Sequence, residues 1–106
     1  MKYVDPRELR PRQTFGSMLG GSYKEVLRSM QKFGFLPEYP IEVVSYNDVL
    51  YINEGHTRTA VALSLGIKHV PVILVDPPMG MTIDQFVSSA TETARYDFEE
   101  IWRNQN

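Results

Sequence analysis

The sequence predicts an α/β (α+β) domain in which a small mixed sheet is flanked by helices and followed by a helical C-terminal tail. Three observations point there. Ile41, Val43, Val49 and Tyr51 alternate with more polar neighbours on either side of Asn47-Asp48, which is the period of a half-buried sheet folded about a tight turn. Apolar residues at helical spacing, Val26, Leu27, Met30 and Phe33, form a stripe that ends at Gly34. Finally, "INEGHTRTAVALSLG" passes directly from a strand into a helix and is followed by the strand "HVPVILV", and such strand–helix–strand alternation packs helices on a sheet.

The elements follow in chain order. Lys2 to Val4 forms a short candidate strand, and "DPRELRPRQTFG" then carries Pro6, Pro11 and Gly16, which argue against regular structure beyond single turns. "SYKEVLRSMQKFG" is a helix, with Ser22 and Glu25 spaced as a capping box. "YPIEVVSYNDVLYIN" supplies two strands, and Tyr39, Tyr46 and Tyr51 read as sheet aromatics. A short helix runs from about Thr57 to Leu65 and stops at Gly66. After "DPPMGM", Thr82 and Gln85 mark another helix start. Phe86, Val87, Ala90, Phe98, Ile101 and Trp102 give the tail an apolar face suited either to the sheet or to a second protein, a homodimer partner included. One domain spanning 1–106 is expected, with a core at about 2–76 and a helical extension at about 82–104.

Composition narrows the function classes. The chain has no cysteine, so disulfides, thiolate metal sites and cysteine nucleophiles are excluded and a cytoplasmic setting is the expectation. No apolar run approaches the roughly 20 residues of a membrane helix, and "MKYVDPREL" has no signal-like apolar region. A formal net charge of −2 argues against a chain-wide electrostatic footprint for nucleic acid, leaving DNA only a local patch such as Lys2, Arg7, Arg10 and Arg12. With only His56 and His69 available, a closed zinc site is not expected.

The chemistry concentrates at Glu54 to Arg58. A helix that begins directly after Gly55 offers unpaired backbone N–H groups and the positive end of its dipole, a ready site for an anion. Gly55 lets the backbone approach a ligand closely. Thr57 is placed to cap the helix or donate a hydroxyl hydrogen bond, and Arg58 adds a planar fork of donors suited to phosphate oxygens. His56 is placed to donate to a phosphate or stack on a ring. Glu54 is a candidate Mg²⁺ ligand beside substrate phosphates.

Together, "ELRPRQTFG", "YPIEVVSYNDVLYINEGHTRTAVALSLG" and "KHVPVILVD" resemble the ParB/sulfiredoxin superfamily, and most of all its ParB-like nuclease-domain branch. The elements that carry the resemblance are Leu9-Arg10-Pro11-Arg12-Gln13, Pro40-Ile41, Glu54-Gly55-His56-Thr57-Arg58 and Val70-Pro71-Val72. The resemblance implies a small mixed sheet flanked by helices and a glycine–arginine turn that binds nucleotide phosphates. Arg10 and Arg12, close to Arg7 in sequence, are candidates for the second half of the anion pocket or for a solvated basic turn balanced by Asp5 and Glu8; Gln13 matches a site position of the superfamily, and Glu54 and His56 are the catalytic candidates.

The departures matter as much. The sulfiredoxin catalytic cysteine falls at the position of His56, so sulfinic acid reduction by that route is excluded. Partitioning ParB proteins carry Gly-Glu-Arg-Arg at this turn, where this chain has Gly55-His56-Thr57-Arg58. The superfamily's free-serine kinases have a glutamate base at the position of Gln13, whose amide cannot accept a proton near neutral pH. The expected function is a nucleotide-binding domain for ATP or CTP with Mg²⁺, holding phosphates at Gly55 to Arg58, with weak NTPase activity at most. The alternatives are a ParB-like nuclease or DNA-binding protein and, behind it, a serine-type small-molecule kinase.

Overall fold

Among the described residues, alternating strands assemble a five-stranded mixed sheet. The computed structural model describes residues 2–12, 21–90 and Glu100. The strands are β1 (Lys2–Val4), β2 (Leu9–Arg10), β3 (Ile41–Tyr46), β4 (Val49–Glu54) and β5 (Val70–Leu74), and they lie in the order β1-β5-β3-β4-β2. The helices are α1 (Gly21–Phe33), α2 (His56–Ser64) and α3 (Ile83–Ser88). β3 and β4 are an antiparallel hairpin in which Tyr46 pairs with Val49, and Asn47 (φ 49°) and Asp48 (φ 63°) take the left-handed conformations of a twist-matched two-residue turn. β5 returns parallel to β3 after α2, and β1 closes that edge antiparallel to β5.

Within "DPRELRPR" the structure finds more order than the prolines suggest. Asp5 caps a 3₁₀ turn at Pro6–Glu8, accepting from the Arg7 N–H at 2.9 Å, and Leu9–Arg10 then pairs parallel with Leu50 and Tyr51 of β4. A two-residue strand carries too little periodicity to be read from sequence. α1 already includes Gly21, so Ser22 lies inside its first turn and is not the expected N-cap; Gln13 and the tail residues Phe98, Ile101 and Trp102 lie outside the described residues.

The core lies between the sheet and α1 and α2. Ile41, Val43 and Ile52 from the strands meet Ala60, Val61, Ala62 and Leu63 of α2 and Met30 of α1, all buried. Alanines on α2 have no long side chain to hold the helix off, so it sits close to the sheet. Phe33 departs from the expected stripe: it is 61% exposed, with the helix ending directly behind it at Gly34 (φ 73°). Val44 and Phe86 are buried outside that cluster. Tyr46 shares Val44's face of β3 by strand alternation and donates to Asp84 of α3 at 3.4 Å. α3 starts at the expected capping box, with the Gln85 N–H donating to the Thr82 hydroxyl at 3.1 Å and the Thr82 N–H donating to the Gln85 side chain at 2.9 Å. No helix among the described residues is long and apolar enough to cross a membrane.

Candidate functional site

β4 delivers the chain to Glu54, and α2 leaves one residue later, so the whole change of direction falls on Gly55. It does so at φ 111° and ψ 23°, in a region that L side chains rarely adopt. The helix begins at His56 rather than Thr57, and Gly55 occupies the N-cap with no side-chain cap. Thr57 therefore lies inside the first turn and is not the cap. The first intrahelical bond runs from the Thr59 N–H to the Gly55 carbonyl at 2.9 Å, and the Thr59 hydroxyl donates to the same carbonyl at 2.8 Å. The N–H groups of His56, Thr57 and Arg58 come before that ladder starts. No acidic residue stands in the first turn, so the positive end of the helix dipole is not offset by the helix's own carboxylates.

Gly55 is also sterically enclosed. A Cβ there would stand 3.2 Å from Arg58 Nη2 and 3.3 Å from Ile41 Cγ1. Gly55→Ala is therefore expected to destabilise the fold by roughly 1–3 kcal/mol from backbone strain, with the side-chain crowding in addition. Urea denaturation checks this, and a midpoint equal to that of the unmodified protein would remove the strain argument.

His56 goes inward. It is 5% exposed, and its Nε2 accepts from the Arg12 backbone N–H at 2.9 Å. Burial, reinforced by the charge of Arg12, pushes its pKa down to about 4, so the ring is neutral at pH 7. From its place in the sequence His56 is a phosphate-facing or catalytic candidate. In the structure its accepting nitrogen is already engaged and its ring is packed beneath the turn.

Arg58 spans two clefts. Its Nη1 donates to the Tyr39 carbonyl, its Nη2 stands over Gly55, and its guanidinium carbon lies 6.0 Å from the centre of the Phe35 ring. Burial draws its pKa below the ordinary arginine value, while Glu54 and Glu42 oppose that shift. On one side is a cleft of about 220 Å³ lined by Val26, Asn53, Glu54, Gly55, His56, Thr57 and Arg58. On the other is an apolar cleft of about 240 Å³ that includes Val26, Met30, Phe35, Leu36 and Tyr39. Tyr39 lies ahead of β3 and is 61% exposed, so it is not the sheet aromatic expected.

The arginines of the N-terminal segment separate. Arg7 forks onto Asp5, with a closest approach of 2.6 Å. Arg10 lines a different cleft, with Lys2, Asp48 and His69, that shares no residue with the Gly55 cleft. Arg12 reaches the turn from behind: its Nε donates to the Ile52 carbonyl at 2.8 Å and its Nη2 to the Asn53 carbonyl at 3.3 Å. Glu54 is exposed at the rim and, among the described residues, is the only carboxylate lining the Gly55 cleft. Among the described residues, no group of three or more histidines and carboxylates is gathered to hold a metal ion. The part played by the Tyr39 carbonyl had no signal in the sequence, because any residue supplies a carbonyl.

Solved structures share this architecture. A sulfiredoxin from Arabidopsis thaliana superposes with a TM-score of 0.57 at 17% identity, over 72% of this chain and 84% of that one. The fold is ParB/sulfiredoxin-like. A conserved hypothetical protein from Pyrococcus furiosus matches with a TM-score of 0.56 at 20% identity, over 71% of this chain. A free serine kinase in complex with AMP matches at 0.57 and 19% identity, over 74% of this chain. This chain spans 32% of the length of each of these last two. No family model matches the sequence, and no curated protein matches it.

Proposed function

We propose that this chain is a nucleotide-binding module that holds phosphate groups at the start of α2, between the backbone of Gly55 to Arg58 and the Arg58 guanidinium. The observation that carries the reading is the pose of Arg58. One nitrogen is anchored on the Tyr39 carbonyl, and the other hangs over a helix N-terminus that no side chain caps. A guanidinium held this way loses little freedom on meeting a phosphate, and charge-assisted hydrogen bonds are the strong ones. The AMP-bound serine kinase among the structural neighbours supports a nucleotide as the source of the phosphates.

ATP or CTP with Mg²⁺ is the ligand class we assign. Glu54 at the cleft rim suits a cation that takes one or two carboxylates and completes its shell with phosphate oxygens and water. The metal would offset phosphate charge beside Glu54, which otherwise repels the ligand. Thr57 lies in the same lining with a hydroxyl to offer. His56 has a positioning part in this reading, fixing the first residue of α2 through its bond to Arg12. Any phosphate transfer or hydrolysis is expected to be weak, because Glu54 is the single carboxylate among the described residues that line the cleft.

Titration calorimetry with ATP, CTP and AMP, with and without Mg²⁺, tests the assignment. Arg58→Ala is expected to weaken binding by about 1.5–3 kcal/mol while the fold persists. Unchanged affinity in a folded Arg58→Ala protein would take Arg58 out of the site. Binding by none of the three nucleotides would remove the function itself.

A further inference from the structure

Arg12 is bound on more sides than any phosphate-facing arginine needs. Its backbone N–H donates to His56 Nε2 at 2.9 Å, and its side chain donates to the carbonyls of Ile52 at 2.8 Å and Asn53 at 3.3 Å. Nη1 donates to the Ser89 hydroxyl at 3.3 Å, and the guanidinium carbon lies 4.0 Å from the centre of the Phe86 ring. Ile52 and Asn53 are the last residues of β4 before Glu54 and Gly55, while His56 is the first residue of α2. One residue thus grips the chain on both sides of the phosphate turn. Its outer surface is covered by the Phe86 ring and by Ser89 at the end of α3.

We infer that Arg12 is a positioning residue for the phosphate turn, and that α3, by covering its guanidinium, sets the turn's geometry and so its affinity for anions. This inference rests on the phosphate reading of Gly55 to Arg58. The physical basis is that the turn's donors act together only if their spacing is held, and small displacements at such sites carry large penalties. A lysine at position 12 keeps the charge but has no planar fork to reach two carbonyls, a hydroxyl and a ring face together. α3 is in this way part of the site without touching the ligand.

The decisive comparison is Arg12→Lys against the unmodified chain, read in two ways. Calorimetry with inorganic pyrophosphate and with ATP is expected to show a loss of affinity of roughly tenfold or more, although the charge is retained. In the ligand-free protein, the amide resonances of Gly55 and His56 are expected to shift and their hydrogen exchange to quicken. Retained affinity together with unmoved resonances would overturn the proposal and reduce Arg12 to a bystander. Lost affinity with unmoved resonances would overturn it too, since Arg12 would then act on the ligand directly. If the unmodified chain binds neither probe, the phosphate reading fails, while the ligand-free resonances still decide whether Arg12 positions the turn. Should Arg12→Lys not fold, Ser89→Ala removes only the hydroxyl partner of Arg12 and leaves the Phe86 ring in place, and the same resonances are expected to move by less.

Discussion

Acidification from pH 7 to pH 4 is expected to remove roughly 3 kcal/mol of folding stability through His56 alone. In the folded chain its pKa is about 4, against an ordinary value of 6.5 that the unfolded chain recovers. Between those values the unfolded state binds a proton that the folded state refuses, so stability falls as pH falls. The contribution is fully present above about pH 6.5 and drains away down to about pH 4. The structural cause is specific. A proton on Nε2 sets a donor against the Arg12 N–H at 2.9 Å and places a positive charge beside the Arg12 guanidinium in a buried site. His56→Gln keeps a neutral acceptor and cannot titrate, so its urea midpoint should vary much less across this window. His69 is common to both proteins and drops out of the difference. Identical pH slopes for the two would show that His56 is not the group responsible.

The same residue marks the border of what the sequence made legible. The strand–helix junction at Gly55, the hairpin turn at Asn47-Asp48 and the α3 capping box were readable because each needs a particular residue type at a particular place. Glycine at a positive φ, a two-residue turn between alternating strands, and a threonine three residues before a glutamine each carry their structural reason in their chemistry. The direction in which His56 faces carries none. A histidine in the first turn of a helix serves a ligand or a core equally well, and only the approach of the Arg12 backbone, 44 residues away in sequence, selects the core. Arg10 and Arg12 show the same limit. Two residues apart, they look like one basic patch, yet one lines the cleft of Lys2 and His69 while the other is drawn beneath the Gly55 turn by the carbonyls of β4. Charge could be counted from the sequence, but the carbonyls that draw Arg12 beneath the turn are backbone atoms and leave no trace there.

Phe86→Ala is expected to cost roughly 3–5 kcal/mol, a large share of a small domain's stability. The apolar face of the C-terminal segment suited either the sheet or a second protein, and the buried state of Phe86 within this chain decides for this residue. Its side chain is 0% exposed, and Arg12 rests on its ring at 4.0 Å. Truncation therefore loses the transfer energy of the ring and opens a cavity. It also uncovers a guanidinium whose bonds to Ile52 and Asn53 hold the end of β4. Phe86→Leu fills part of the same space and should lose less. Denaturation at several protein concentrations separates the two origins of the loss. A ring buried within its own chain gives the same penalty at every concentration, whereas a ring that stabilised a complex of two copies would show a penalty that changes with dilution. A folded Phe86→Ala protein with an unchanged urea midpoint would mean that α3 contributes nothing to the fold, and α3 could then no longer act as the cover that holds Arg12 in place.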